Sequence, residues 1–274
     1  MRLLEWFACV SLIALLAGCG SNATVSPTPA PLIGRITFAG STTVQPLADK
    51  LGKVFRQHNS GVVLDIAAGG SVVGIKAIHD GMADIGMASR ALAPDEAAGI
   101  EQYQIAVDVL AIVVHPTNPV SDLTAAQLRD IYLGKITNWR ELNGPDRPIV
   151  VVVRDLNSGT RGAFDEIVLD KHEPQAPGLK AAITAGDVAA IVAAEPGAIG
   201  YVGFGNLESR LKLLAIDGVT PTRDAARNGH YRLVRPLLLM TGPLTQPLAR
   251  VYIDFVLSAE GQTLVEDDGW IPVR

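Results

Sequence analysis

Residues 154–161, Arg-Asp-Leu-Asn-Ser-Gly-Thr-Arg, set two guanidinium groups and two hydroxyls around one glycine. Such a set can hold an oxyanion. A planar guanidinium donates paired hydrogen bonds, which a lysine ammonium cannot reproduce, and Ser or Thr hydroxyls add single donors. The stretch follows the unbroken apolar run Ile149 to Val153 and precedes a helical stripe of Ala163, Phe164, Ile167 and Val168. Arg154 therefore ends a strand that reads as buried, and a buried cation needs partners. An anion would serve, and so would an internal salt bridge, for instance to Asp155. Arg161 lies one turn into the helix, where it is expected to face solvent.

Two further loops share this chemistry. Ser41, Thr42 and Thr43 follow the strand-like "RITFAG", and Ser71 follows "VVLDIAAGG". Each lies between a candidate strand and a candidate helix, where unpaired backbone N–H groups and the helix dipole favour an anion. A protein of net charge -5 can bind an anion by such local dipoles. Ser and Thr are also favoured helix caps, and one hydroxyl can accept from its helix while donating to a ligand. A binding site requires that the loops converge in space.

Other chemistries lack their residues. There is no G-x-S-x-G elbow, and "LGKIT" lacks the spaced glycine and following hydroxyl of a P-loop. The histidines at 58, 79, 115, 172 and 230 form no i,i+4 pair, so neither a metal nor a cofactor is expected. The acidic balance without a Lys/Arg cluster argues against nucleic acid.

The elements that must position these loops follow from periodicity. "DIGMAS", "YQIAVDVLAIVVHP", "GAIGYVGFG" and "LKLLAI" are strand-like, and "TAAQLRDIYLG" opens on a Thr124–Gln127 capping box. "TQPLARVYIDFVLSAEGQ" reads as one amphipathic helix. Alternating strands and helices predict an α/β protein with mostly parallel sheets covered on both faces. The long apolar strands near 105–114 and 232–240 are the candidates for crossing between two lobes. Apolar residues at 48% and charged residues at 19% suit a packed globular chain.

At the N-terminus, Arg2 and a short apolar run read as a signal peptide over residues 1–18. Leu16-Ala17-Gly18-Cys19 resembles a bacterial lipobox, which implies lipidation of Cys19. Cys9 would leave with the signal, so no disulfide is available. The small, proline-rich residues 19–33 suit a tether.

With "AGSTTVQPLA", "GGSVVGIKAI", "ADIGMASR", "LTAAQLRDIYLGKITNWRELNG", "VVRDLNSGTRGAF", "GAIGYVGFG" and "FVLSAEGQTLVEDDGWIPV" in order, the chain resembles the phosphate-binding proteins of bacterial phosphate ABC importers, in their shorter form. The resemblance implies a type II periplasmic-binding-protein fold of two α/β lobes joined by a two-strand hinge. Residues 34–110 with 234–274 would form lobe I, and residues 111–233 lobe II. It implies phosphate contacts from Thr42, Thr43, Ser71 and Ser89, and across the cleft from Arg154, Ser158, Gly159 and Thr160. Ser41, Arg90 and Arg161 are secondary candidates. Trp139 then reads as packing. The implied protein is a monomeric, lipid-anchored extracytoplasmic receptor, not an enzyme, that passes phosphate to an ABC permease.

Two positions depart from the pattern. Arg90 stands where many relatives carry an aspartate that accepts the proton of hydrogen phosphate, and Leu156 where relatives often carry a carboxylate. Asp84 and Asp108 are conceivable substitute acceptors. Sulfate, arsenate or another tetrahedral oxyanion is therefore an alternative ligand, and a surface adhesion or signalling lipoprotein an alternative role.

Overall fold

The structure is a computed structural model that describes residues 31–273; the expected signal peptide, Cys19 and nearly all of the tether lie outside the described residues. No helix among the described residues is long and apolar enough to cross a membrane.

The first segment runs β1 (Ile33–Gly40), α1 (Gln45–His58), β2 (Gly61–Ala68), α2 (Ser71–His79) and β3 (Ile85–Ala88). The long β4 (Glu101–Val114) leads into β5 (Asp122–Leu123), α3 (Ala125–Tyr132), β6 (Val150–Arg154), α4 (Gly159–Ile167) and β7 (Lys180–Ala182). Then come α5 (Ala185–Ala194), β8 (Ala198–Gly203), β9 (Lys212–Leu213), β10 (Ala215–Ile216) and α6 (Arg223–Arg227). The chain returns through β11 (Val234–Thr241) to α7 (Pro247–Leu257) and α8 (Ala259–Asp267).

The main sheet has the order β2-β1-β3-β11-β4-β8-β6-β7, with β9 also paired to β4. Its wings are parallel, β1 with β2 and β3, and β6 with β7 and β8. Its centre is antiparallel, because β4 leaves the first wing and β11 returns to it. The expectation of mostly parallel sheets holds for the wings and fails at this crossing.

Period-2 patterning makes each crossing strand serve several cores. On β4, Ile105 and Ala106 pack with β1, α1 and α7, whereas Leu110, Ile112 and Val114 pack with α3, α4 and Trp139. Between these last residues, Ala111 and Val113 face the other way, onto α5. On β11, Leu237 and Leu239 enter the first core, while Leu238 and Met240 pack with Ile75 and Ile78 of α2. Each wing is thus covered on both faces, as buried parallel strands require. The switch from one core to the other falls between Ala106 and Val109 on β4 and between Val234 and Leu237 on β11.

Local rules hold where their partners are local. Thr124 Oγ1 accepts from Gln127 N–H at 3.1 Å and Gln127 Oε1 accepts from Thr124 N–H at 2.9 Å, closing the capping box. Trp139 is fully buried and donates Nε1–H to the Gly197 carbonyl at 2.9 Å. The single C-terminal helix is corrected to two. Ser258 Oγ donates to the Phe255 carbonyl at 2.7 Å and accepts from Gly261 N–H at 3.2 Å, so one serine ends α7 and caps α8.

Candidate functional site

Register brings the loops of the first wing to one level. Gly40, the last residue of β1, pairs with both Ala68 at the end of β2 and Met87 near the end of β3. The residues that follow, Ser41 to Thr43, Ser71 and Ser89, must therefore emerge side by side beyond the carboxyl ends of the strands. That is where open α/β sheets hold ligands. In the other wing, Arg154 closes β6 and Ser158 caps α4, its Oγ accepting from Arg161 N–H at 3.3 Å.

The loops converge. Ser41 Oγ donates to Ser89 Oγ at 3.0 Å, and Ser89 N–H donates to Ser71 Oγ at 3.1 Å. Across the gap, Thr43 Oγ1 and Thr160 Oγ1 lie 3.0 Å apart, and Arg154 Nη2 donates to Thr42 Oγ1 at 3.1 Å. Ser41, Thr43, Ser71, Ser89, Arg154, Ser158 and Thr160 are all buried, and Thr42 is half-buried. The backbones meet as well: Val72 N–H, in the first turn of α2, donates to the Asn157 carbonyl at 3.2 Å. Gly159 lies so close to this contact that a Cβ there would collide with Ser71 Oγ and sit 2.7 Å from Ser89 Oγ. At Gly70, φ is +97° and the Asn157 carbonyl occupies the space of a side chain, so glycine is required twice over.

Arg154 is a buried cation without a carboxylate. Its Nε donates to the Ala182 carbonyl at 3.2 Å and its Nη2 to the Ile183 carbonyl at 2.7 Å, and no ion pair among the described residues includes it. The expected alternative partner, Asp155, instead accepts from Asn157 N–H at 2.8 Å. Burial pulls the guanidinium below its ordinary pKa. Behind it, Tyr201 Oη accepts from Arg154 N–H at 3.1 Å, and the Tyr201 ring stacks on Phe164 with centroids 4.1 Å apart. The strand end is thus held rigidly from α4.

The other two arginines are occupied. Arg161 does not face solvent as expected: it is 8% exposed, pairs with Asp165 at 2.5 Å and donates from Nη1 to the Arg154 carbonyl at 3.2 Å. Its place inside the α4 packing explains this, since only the i+4 carboxylate can neutralise it there. It braces Arg154 from behind. Arg90 turns to Glu96, donating from Nη1 at 2.6 Å and from Nη2 at 2.7 Å, and makes no hydrogen bond to the hydroxyl cluster. Asp84 is also committed elsewhere, accepting from Thr37 N–H and Oγ1–H at 2.8 Å each.

Sequence reasoning missed one residue. Arg235 on β11 is buried, pairs with Asp108 on β4 at 2.7 Å and reaches the cluster, Nη1 to the Ser89 carbonyl at 3.2 Å and Nη2 to Thr43 Oγ1 at 3.4 Å. The signal was a charge inside each candidate crossing strand, Asp108 in the first and Arg232 and Arg235 in the second. Among the described residues, no group of three or more His, Cys, Asp or Glu could hold a metal ion.

Two α/β wings meeting at a buried ring of hydroxyls define a binding protein of the type II periplasmic-binding-protein fold. Residues 25–260 match the PBP superfamily domain. The phosphate-binding protein PstS of Bacillus subtilis (strain 168) is 32% identical over 277 residues, covering 96% of this chain and 91% of that protein. PstS of Borreliella burgdorferi is 28% identical, covering 87% and 90%. The chain belongs to the PBP superfamily and, within it, to the PstS phosphate-binding proteins.

Solved structures agree. A phosphate ABC transporter substrate-binding protein of Clostridium perfringens, with bound phosphate, superposes with TM-score 0.86 at 38% identity, covering 88% of this chain and all (100%) of that one. An ABC-type phosphate transport receptor of Vibrio cholerae gives TM-score 0.73 at 32% identity, covering 86% and 99%. An OxyR of Corynebacterium glutamicum shares the fold at TM-score 0.59 and 15% identity, so the fold alone does not name a ligand.

Proposed function

We propose that this chain is an extracytoplasmic receptor that binds inorganic phosphate at the hydroxyl cluster and delivers it to an ABC importer. The observation that carries the reading is Arg154: a buried guanidinium that makes no salt bridge among the described residues and reaches across to the Thr42 hydroxyl of the other wing, beside the contact between Thr43 and Thr160. Burying a cation without a counterion is costly, and a phosphate in the cluster would supply the missing charge. Thr42, Thr43, Ser71, Ser89, Ser158, Gly159 and Thr160 are its proposed hydrogen-bonding partners. The starts of α2 and α4 add backbone donors and positive dipole ends. Micromolar affinity needs about 8 kcal/mol, and a few hydrogen bonds to a charged group at about 1.5–3 kcal/mol each reach it.

Closure and release belong to the same reading. Lobe I would comprise residues 34–110 with 234–274 and lobe II residues 111–233, turning about the crossing of β4 and β11. The contacts of Gly159 with Ser71 and of Thr43 with Thr160 are those of a shut cleft, which a partner permease must be able to open. Lipidation of Cys19 would hold the receptor at the membrane as a monomer. The role is binding, without a chemical step.

One observation favours a broader oxyanion site. Hydrogen phosphate carries a proton that needs an acceptor, whereas sulfate carries none. Asp108 is taken by Arg235 and the Phe204 N–H at 2.8 Å, and Asp84 by Thr37, so hydroxyl and carbonyl oxygens must accept that proton. Hydroxyls can also donate, so they discriminate less than a carboxylate does. Calorimetric titration with phosphate, in competition with sulfate from pH 5 to 8, tests both readings. Phosphate binding that sulfate cannot displace supports a phosphate receptor; equal affinities establish a general oxyanion site; absence of binding by either removes both.

A further inference from the structure

Two guanidinium groups reach the hydroxyl cluster, Arg154 at Thr42 and Arg235 at Thr43, and only Arg235 has a carboxylate paired with it. Arg235 and Asp108 lie directly opposite each other in the β11–β4 register. They occupy the short interval in which both strands pass from one hydrophobic core to the other. Asp108 Oδ2 accepts from Arg235 Nε at 2.9 Å and Nη2 at 2.7 Å, while Asp108 Oδ1 accepts from Phe204 N–H at 2.8 Å. Both partners are buried, at 2% and 0% exposure. A buried pair of this kind seldom gains stability over apolar residues of similar size, so its presence at the crossing calls for another role.

Its remaining donors supply one. Arg235 Nη1 donates to the Ser89 carbonyl at 3.2 Å and Nη2 approaches Thr43 Oγ1 at 3.4 Å. A hydroxyl that accepts from a cation has its own proton polarised and directed away. Thr43 Oγ1 lies 3.0 Å from Thr160 Oγ1, in the middle of the cluster. Burial is the main cause that lowers the Arg154 guanidinium pKa; Asp155 and Tyr201 oppose it, and the like charge of Arg235 adds a smaller lowering. The two cations thus sense each other across the cluster.

We infer that Arg235 is a second cation of the anion site, a positioning residue that orients Thr43 and the Ser89 loop and attracts the anion by its charge, with Asp108 setting how much of that charge the anion feels. The inference rests on the anion-site reading above. It assigns the hinge crossing a direct share in affinity: an anion drawn toward Arg235 is drawn toward the strands about which the lobes turn. It also replaces Arg90 as the second guanidinium of the site, since Arg90 is held by Glu96.

Three variants of the protein test it, each titrated with inorganic phosphate and sulfate and melted with and without 1 mM-scale phosphate, roughly as ligand linkage requires. Asp108→Asn keeps an acceptor for the Phe204 N–H but releases the charge of Arg235. It is expected to melt lower than wild type without anion, to be stabilised more by phosphate, and to bind phosphate several-fold tighter. Arg235→Lys keeps the charge and is expected to lose only a few-fold. The double variant Asp108→Asn with Arg235→Gln replaces the ion pair by neutral amides. It is expected to fold and to lose about tenfold in phosphate affinity.

A merely structural pair predicts otherwise. The double variant would then bind as wild type does, and Asp108→Asn would weaken binding in step with its lost stability. Either result overturns the inference while leaving the anion site standing. If Asp108→Asn fails to fold, the double variant against Arg235→Lys decides alone. Wild type that takes up neither phosphate nor sulfate would remove the anion site itself, and the inference with it.

Discussion

Arg154 and Arg235 are both buried guanidinium groups at strand positions that reach neighbouring hydroxyls, Thr42 and Thr43, yet their surroundings differ in one respect. Arg235 has a carboxylate opposite it in the sheet, whereas Arg154 hydrogen-bonds backbone carbonyls and the Thr42 hydroxyl and feels Asp155 and Asp187 only from beyond salt-bridge distance. A paired cation can be kept in a protein interior at modest cost, whereas one with no salt-bridge partner stores a demand for an anion. The contrast separates a cation whose charge is shared between a carboxylate and the site from one left for a ligand. Arg161 makes the same point from behind the site, since Asp165 neutralises it and its remaining donor steadies the Arg154 carbonyl.

The sharpest way to break the contrast is to remove the uncompensated charge. Arg154→Ala is expected to lower phosphate affinity by roughly 100-fold or more, the loss of two charged hydrogen bonds. Its melting temperature without anion should fall little, because no buried carboxylate is stranded; calorimetry and thermal melts read the two effects separately. Equal losses for Arg154→Ala and Arg90→Ala would show that the wrong guanidinium has been assigned.

Next comes the contact that brings the two wings together. Gly159→Ala places a methyl group against the Ser71 and Ser89 hydroxyls, an overpacking worth about 1–3 kcal/mol. Phosphate affinity should fall on the order of tenfold, with unliganded stability nearly unchanged because an open cleft has room for the methyl. Small-angle scattering with phosphate should report a less compact protein than wild type.

Arg161→Ala reverses the balance between affinity and stability. Leaving Asp165 without its partner should cost about 3 kcal/mol of stability, read by denaturant titration, while affinity drops far less than in Arg154→Ala. A variant that kept full stability would show that the Asp165 pair does not brace α4.

The smallest effect is in the pH profile. Burial raises the Asp165 carboxyl to about 6, against the opposing pull of Arg161, while an unfolded aspartate titrates near 3.9. The native state therefore binds a proton more tightly, and that contribution is fully present below about pH 4 and gone above about pH 6. Stability of wild type should fall relative to Asp165→Asn as pH rises through this window, and run parallel above it. Parallel melting curves throughout would place the Asp165 carboxyl near its ordinary value.

Much of this molecule was legible in local sequence. The strand-loop-helix pattern located Ser41 to Thr43, Ser71 and the 154–160 loop, because apolar periodicity and hydroxyl placement are properties of a few neighbouring residues. The Thr124 box was legible for the same reason. The helix break at Ser258 was hidden by an amphipathic pattern that runs through both α7 and α8. Ser89 stood out only through resemblance to a known family, since a lone serine after a strand carries no signal of its own.

By itself, the sequence determined which loops carry donors, which strands are buried and that Arg154 ends one of them. Only the tertiary structure decided which cations are neutralised. Asp108 and Arg235 stand 127 positions apart in the chain and meet through the antiparallel register of β4 and β11. Arg161 turns inward because α4 packs against β6, and Arg90 turns to Glu96. Charge compensation in a low-dielectric interior depends on distances of a few ångströms between remote residues. No local pattern encodes those distances; they arise when the strands pair.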